Sequence, residues 1–150
     1  ATVRANLEGG REPGKAGVGG RNFDTIGAYA HVYTASSIPT TPQIHVGVLN
    51  AAAGTAANYI NGTLDGGVVT WQTPAPFPDG GSGRYHVGKS SSEFGEEYFP
   101  GDIGEVIVVQ DAADTETRQL FEGYLAHKWG LTSELPNDHP YKDDPPVLED

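Results

Sequence analysis

The alternation of apolar and polar residues predicts short β-strands over most of this chain. Residues 28–34 alternate Tyr and His with Ala and Val, and residues 43–49 place Ile44, Val46 and Val48 on one face. A period of two is typical of strands with one buried face. Shorter runs of the same kind lie at residues 56–60, 63–65, 68–71, 84–89 and 105–110. We therefore expect about seven strands joined by turns, as in a sandwich or barrel.

The clearest turn signal is Asn61-Gly62, which separates two of these runs. Asn and Gly both tolerate positive φ, which a type I′ turn requires at its two central positions. The sequence therefore predicts a tight β-hairpin at this point. The apolar, β-branched run at residues 105–110 predicts a strand that is buried on at least one side.

The period changes to that of a helix after Asp114, whose carboxylate can cap the first turn. The apolar stripe of this predicted helix packs on the rest of the molecule. Gly130 stands where a left-handed residue would end the helix. The residues of the stripe are Leu120, Phe121, Tyr124, Leu125 and Trp129.

Residues 1–27 are rich in glycine and hold Arg4, Arg11, Lys15 and Arg21, four of the nine Lys and Arg residues. Such a segment buries too little apolar surface to offset its ordering entropy. We predict an arm at residues 1–27 and one domain at residues 28–150. The arm is either flexible or ordered against an acidic neighbour, such as another copy of this chain.

The run EGYLAHKWGL, followed by LPNDHPYKDDPP, resembles the C-terminal signature of LamG-like domains of bacteria and phages. These domains belong to the concanavalin A-like lectin/glucanase superfamily. The resemblance implies an all-β fold, a two-sheet antiparallel jelly-roll sandwich with one C-terminal α-helix. The family has no single activity. The residues that we assign to the structural signature are Asp114, Tyr124, Trp129, Gly130, His139 and Tyr141.

The formal net charge of −11 argues against nucleic acid and anionic membranes as partners, because both would repel the chain. No apolar run is long enough to span a bilayer, and no signal peptide is recognisable. The absence of cysteine excludes disulfides and thiol chemistry. We expect an extracellular or virion-surface protein that assembles with itself or with other structural proteins.

We predict no enzymatic activity, because the acidic strand motif that superfamily glucanases share, Glu-x-Asp-x-x-Glu, is missing. Asp102 and Glu105 are three residues apart and would face opposite ways on a strand. Calcium is the one cofactor left open, with loop carboxylates at Asp79 and Asp102. The histidines lack the spacing of a local zinc site, and we predict structural roles for them. They are His31, His45, His86, His127 and His139.

Carbohydrate binding would need an exposed aromatic platform and planar polar groups beside it. The candidates are Trp71, Tyr98 and Phe99 for the platform, and Asn58, Gln72 and Arg84 for hydrogen bonds. The alternative is that these aromatic rings pack inside the domain. We expect a non-catalytic recognition or adhesion module that binds carbohydrate. The alternative function is a virion decoration or fibre-forming subunit that assembles through its N-terminal arm.

Overall fold

The computed structural model describes residues 6–7, 17–21, 29–35, 37, 39–50, 53–70, 86–88, 99, 101–109 and 112–147. Within these ranges the chain is mostly β with one helix near the C-terminus, which confirms the coarse fold class. The elements are β1 (Asn6–Leu7), β2 (Gly17–Arg21), β3 (Tyr29–Tyr33), β4 (His45–Asn50), β5 (Thr55–Ile60), β6 (Thr63–Thr70), β7 (His86–Val87) and α1 (Thr115–Trp129), then a 3₁₀ turn at Thr132–Glu134.

The described strands form three sheets. In the largest, β5 lies between β4 and β6, and both pairings are antiparallel. β2 pairs with β3 in antiparallel fashion, and β1 pairs with β7 in parallel. β2 and β3 also lie next to strands of the three-stranded sheet. The jelly-roll sandwich is a finer arrangement than these pairings and stays a prediction.

The hairpin between β5 and β6 is confirmed. Asn61 has φ of 48° and Gly62 has φ of 82°, as the predicted turn requires. The Asn61 side chain also accepts a hydrogen bond from the backbone N–H of Ile44 at 2.8 Å. The turn is thereby attached to the residue that precedes β4.

β6 continues through the point where the sequence predicts a break between residues 63–65 and 68–71. Gly66 and Gly67 have φ of 78° and 90° and form an irregularity in the ladder, because Asn58 pairs with Asp65 whereas Ala57 pairs with Val68. Two glycines can adopt these left-handed values without strain. One strand, Thr63–Thr70, therefore replaces the two predicted ones over the described residues.

The predicted bounds of α1 are confirmed at both ends. Asp114 accepts a hydrogen bond from the backbone N–H of Thr117 at 2.8 Å, and this bond holds the pKa of the Asp114 carboxyl below its ordinary value. Gly130 has φ of 70°, and its N–H donates to the carbonyl of Ala126. The helix therefore starts and stops by local rules that need no tertiary contact.

The predicted buried face of α1 is wrong. Trp129 is 50% exposed, and the other residues of the apolar stripe are only half-buried. Leu125 of the stripe does pack against the buried core, but the most deeply buried face of α1 is the adjoining one, where small residues leave room and two opposite charges neutralise each other. The buried residues of α1 are Arg118, Glu122, Gly123 and Ala126.

The predicted buried strand at residues 105–110 is also wrong over its described part. Residues 105–109 adopt no strand, and the four residues Val106, Ile107, Val108 and Val109 are all exposed. Gln110 lies outside the described residues. A β-branched run favours an extended chain, but a sheet needs a partner strand, and none pairs with residues 105–109 in the described part of the chain.

Two pieces of the predicted N-terminal arm pair with strands of this same chain, β1 with β7 and β2 with β3. These residues therefore form β-sheet, and the remainder of residues 1–27 lies outside the described residues.

A small buried core, formed by Ile44, Ala126 and Leu135, joins the start of β4, α1 and the tail. Among the described residues, no helix has the length and apolar character needed to cross a membrane.

Candidate functional site

A buried ion pair lies between α1 and the β5–β6 hairpin. Arg118 and Glu122 are four residues apart, so their side chains meet on one face of the helix. The Arg118 Nη1 donates to both carboxylate oxygens of Glu122 at 2.6 Å. Their side chains are 8% and 0% exposed. A pair this deeply buried must find further partners, since desolvation of both charges is costly.

The hairpin supplies partners for Arg118. Its guanidinium carbon lies 3.9 Å from the centroid of the Tyr59 ring, a cation–π contact with β5. Its Nη1 also lies 3.5 Å from the carbonyl oxygen of Gly62 in the turn. Arg118 therefore connects the helix to the central strand of the largest sheet.

The C-terminal tail supplies a partner for Glu122. The Nε2 of His139 lies 3.3 Å from Glu122 Oε2, and the backbone N–H of Tyr141 donates to His139 Nδ1 at 3.2 Å. Because Nδ1 accepts that bond, the ring proton sits on Nε2 and is donated to Glu122. His127 provides a second contact between α1 and the tail, because its Nε2 lies 3.0 Å from the Tyr141 carbonyl oxygen. His139 thus attaches the tail to the helix.

The buried polar cluster is made of Tyr59, Arg118, Glu122 and His139. Its Glu122–His139 end is closed to solvent and suits a structural role, whereas Tyr59 and Arg118 also line an open cleft. Glu122 and His139 are 0% and 6% exposed, so no substrate reaches them in this conformation. Gly62 and Gly123 border the cluster, and a Cβ at either position would meet tail atoms. Several residues of the C-terminal signature therefore act by joining the helix, the hairpin and the tail.

A second, exposed network holds residue 105 against the end of α1. Glu105 accepts hydrogen bonds from the Trp129 indole at 3.0 Å, from Lys128 at 3.2 Å and from the Tyr124 hydroxyl at 3.1 Å. The Trp129 bond is the main cause that lowers the pKa of Glu105, and the bonds to Tyr124 and Glu105 raise the pKa of Lys128. Tyr124 and Trp129 therefore serve as surface anchors and not as core residues.

A polar pair joins the first residue of β4 to the middle of β5. His45 Nε2 lies 3.2 Å from Asn58 Oδ1, and Asn58 is fully buried. Burial lowers the pKa of His45, while the bond to Asn58 and the charge of Asp65 oppose that effect. Among the described residues no group bonds to the buried Nδ1 of His45. Burial of this nitrogen therefore disfavours the protonated form of the ring.

The lowered pKa of His45 predicts loss of stability in acid. The unfolded chain takes up a proton near pH 6.5, whereas the folded chain takes it up only at lower pH. The contribution of His45 is therefore complete above pH 6.5 and is lost as the pH falls towards the folded-state pKa. Thermal unfolding between about pH 7.5 and 5.5 should show a smaller fall in melting temperature for His45→Gln than for the wild type. An equal or larger fall in the variant would contradict this assignment.

An open cleft of about 370 Å³ lies between the three-stranded sheet and the start of α1. The sheet contributes both apolar side chains and polar groups from one end of β4 and β5, and residues 112–115 form the facing wall. Apart from four alanines, the lining residues are Val48, Asn50, Thr55, Tyr59, Val68, Asp114, Thr115 and Arg118.

The structure describes few of the predicted site residues. Phe99 is half-buried, with its N–H bonded to the Gly88 carbonyl at 2.8 Å, and Asp102 is exposed. Asn58 is wrong as a surface ligand group, because it is fully buried beside His45. No group of three or more metal-ligating side chains occurs within the described ranges. Five predicted site residues lie outside those ranges: Trp71, Gln72, Asp79, Arg84 and Tyr98.

His31, His45 and His86 lie on β3, β4 and β7, which belong to three different sheets of the described residues. Sequence reasoning missed the buried polar cluster, although the i,i+4 spacing of Arg118 and Glu122 was a visible signal.

The chain matches no family model, no curated protein and no solved structure. Any functional assignment must therefore come from its own residues.

Proposed function

We propose that this chain is a non-catalytic recognition module of LamG-like type, which binds a saccharide at an extracellular or virion surface. The observation that carries the proposal is the cleft between the sheet and the start of α1. Its volume, about 370 Å³, lies in the range of small-molecule sites. A cleft of this size accommodates a short stretch of a glycan.

The lining of the cleft suits a sugar, which presents both hydroxyl groups and apolar C–H faces. Val48, Tyr59 and Val68 offer apolar surface, and Asn50 and Thr55 offer amide and hydroxyl groups. These side chains lie on strands of one sheet, so their spacing is set by a hydrogen-bonded scaffold. Such an arrangement favours recognition of a rigid polar ligand.

The acidic lining of the cleft favours binding over hydrolysis. Among its described lining residues only Asp114 is acidic, and its Oδ1 already accepts the Thr117 N–H that caps α1. A glycosidase commonly needs two carboxyl groups on either side of the scissile bond. We therefore propose recognition without turnover in this cleft.

Binding to a polysaccharide panel, measured on a glycan array and by calorimetry with and without calcium, tests the proposal. Thr55→Ala removes a hydroxyl from the cleft and should weaken binding about 3- to 10-fold, as expected for one hydrogen bond. Thr63→Ala is the matched control, because Thr63 is an exposed strand residue outside the cleft. Absence of binding under both conditions, or equal affinities of the two variants, would overturn the proposal.

The alternative function is a virion decoration or fibre-forming subunit that assembles through the basic N-terminal arm. The contrast between four basic residues in the arm and the overall charge of −11 favours it. Because β1 and β2 pair within the chain, charge reversal at Arg4, Arg11 and Lys15 is a milder test than deletion. Assembly that survives this reversal would exclude the arm as its cause.

A further inference from the structure

Arg118 belongs both to the buried polar cluster and to the lining of the cleft. Its side chain is only 8% exposed, and it borders the cleft together with Tyr59, Asp114 and Thr115. A few well-placed polar groups in a cleft usually decide which ligand it accepts. The hydrogen-bond donors that the protein itself leaves unused on Arg118 therefore bear on the choice of ligand.

The protein engages only one of the three guanidinium nitrogen atoms. A guanidinium carries five N–H donors, two on Nη1, two on Nη2 and one on Nε. Nη1 donates to both carboxylate oxygens of Glu122 and lies 3.5 Å from the Gly62 carbonyl oxygen. Within the described part of the chain no acceptor bonds to Nη2 or Nε, and both atoms retain contact with solvent. Three N–H donors of Arg118 are therefore open to a ligand in the cleft.

Two partners fix the orientation of these donors. The Glu122 carboxylate holds Nη1, and the Tyr59 ring centroid lies 3.9 Å from the guanidinium carbon. Glu122 is bonded in turn to His139, so the tail supports the same arrangement. A planar guanidinium that is already held in place loses little conformational entropy on binding. Its hydrogen bonds therefore add more to affinity than those of a mobile surface arginine.

The charges around the cleft favour an uncharged ligand. Glu122 neutralises Arg118, while the Asp114 carboxylate leaves one negative charge in excess at the described lining. The hydrogen bonds from Thr117 hold the pKa of the Asp114 carboxyl below its ordinary value, so this charge is present at neutral pH. The formal net charge of −11 acts in the same direction. An acidic saccharide would be repelled, whereas the hydroxyl and ring oxygens of a neutral saccharide can accept hydrogen bonds without this cost.

We propose that Arg118 is the specificity-determining residue of the cleft, and that its Nη2 and Nε donate hydrogen bonds to hydroxyl or ring oxygens of an uncharged saccharide. This inference rests on the proposed saccharide-binding function and adds the class of saccharide. Glu122 and His139 are positioning residues, because they act on the ligand only through Arg118 and are not among the described lining residues.

Paired oligosaccharides, one neutral and one carrying uronic acid carboxylates on the same backbone, test the class of ligand. Calorimetry on the wild type should show tighter binding of the neutral member, by about 5-fold or more. Asp114→Asn keeps a capping side chain for α1 and removes the excess negative charge, so it should reduce this preference. Tighter binding of the acidic member by the wild type would overturn the proposal.

Two variants test the role of Arg118. Arg118→Met/Glu122→Leu removes the donors without leaving an unpaired buried charge. It should bind the neutral saccharide about 10- to 100-fold more weakly, because hydrogen bonds from a charged group are lost. Arg118→Lys keeps a charge beside Glu122 but lacks the planar guanidinium, and it should weaken binding by a similar factor. Lys128→Met is the matched control, since it removes a cation of the same helix outside the described lining and should leave affinity unchanged. Circular dichroism establishes that each variant is folded.

The Nε–H signal of Arg118 in a ¹⁵N NMR spectrum separates direct contact from an indirect change in the shape of the cleft. Its absence from the spectrum of Arg118→Lys assigns the signal, which should shift as neutral saccharide is added to the wild type. Binding with an unshifted signal, or with undiminished affinity in both Arg118 variants, would overturn this inference and leave the proposed function standing. Failure of the wild type to bind any saccharide would overturn both.

Discussion

Glu122→Ala should remove a large fraction of the stability of this domain. The substitution leaves the Arg118 guanidinium buried without its carboxylate and removes the acceptor of the His139 ring. Breaking a buried ion pair on one side typically costs about 3–5 kcal/mol. Small domains unfold with about 5–15 kcal/mol, so the loss is a large fraction of the total. Chemical denaturation followed by circular dichroism measures the change in the free energy of unfolding.

Two variants show whether the cost comes from the uncompensated charge. Glu116→Ala removes a carboxylate from the exposed first turn of the same helix and should cost far less. The double variant Arg118→Met/Glu122→Leu replaces the whole pair by apolar side chains and should recover much of the stability lost in Glu122→Ala. If Glu122→Ala were as mild as Glu116→Ala, the buried cluster would not be what joins the helix, hairpin and tail.

Gly123→Ala should destabilise the domain although alanine favours helices. A Cβ at Gly123 would overlap the Tyr141 Cβ and would lie 2.8 Å from Tyr141 Cγ, closer than packed carbons approach. Overpacking of this kind typically costs about 1–3 kcal/mol, whereas Gly to Ala in an open helix gains up to about 1 kcal/mol. The sign of the change in unfolding free energy therefore reports whether the tail packs on this face of α1.

The background variant Tyr141→Gly provides the control for this prediction. It removes the side chain that the new Cβ would meet, so Gly123→Ala should become neutral or stabilising in that background. Such a reversal is a coupling between residues in contact, and a double-mutant cycle measures it directly. If Gly123→Ala were stabilising in the wild-type background, the tail would not lie against Gly123.

These two predictions concern residues of the C-terminal signature, and they assign a structural role to that signature. Glu122 and His139 join the tail to the helix, and Gly123 leaves room for Tyr141. The resemblance to LamG-like domains therefore rests on residues that hold the fold together. The cleft that we propose as a saccharide site lies next to these residues, between β4, β5, β6 and the start of α1, and it shares Tyr59 and Arg118 with the buried polar cluster.

The sequence by itself determined the elements whose cause is local. Asp114 and Gly130 set the bounds of α1, because a cap needs only the backbone groups of the adjacent turn. Asn61 and Gly62 determined the hairpin, because its turn requires two neighbouring residues with positive φ. Each of these outcomes depends on a few consecutive residues and on no distant contact.

Only the tertiary structure decided which side chains are buried. Arg118 and Glu122 are charged and would be predicted on the surface, but Tyr59 and His139, distant in sequence, make their burial tolerable. Trp129 is apolar and would be predicted inside, yet its indole bonds to Glu105 at the surface. Whether a side chain is buried depends on the partners that the fold brings next to it from distant parts of the chain. The period of apolar residues along one helix gives no information about those partners.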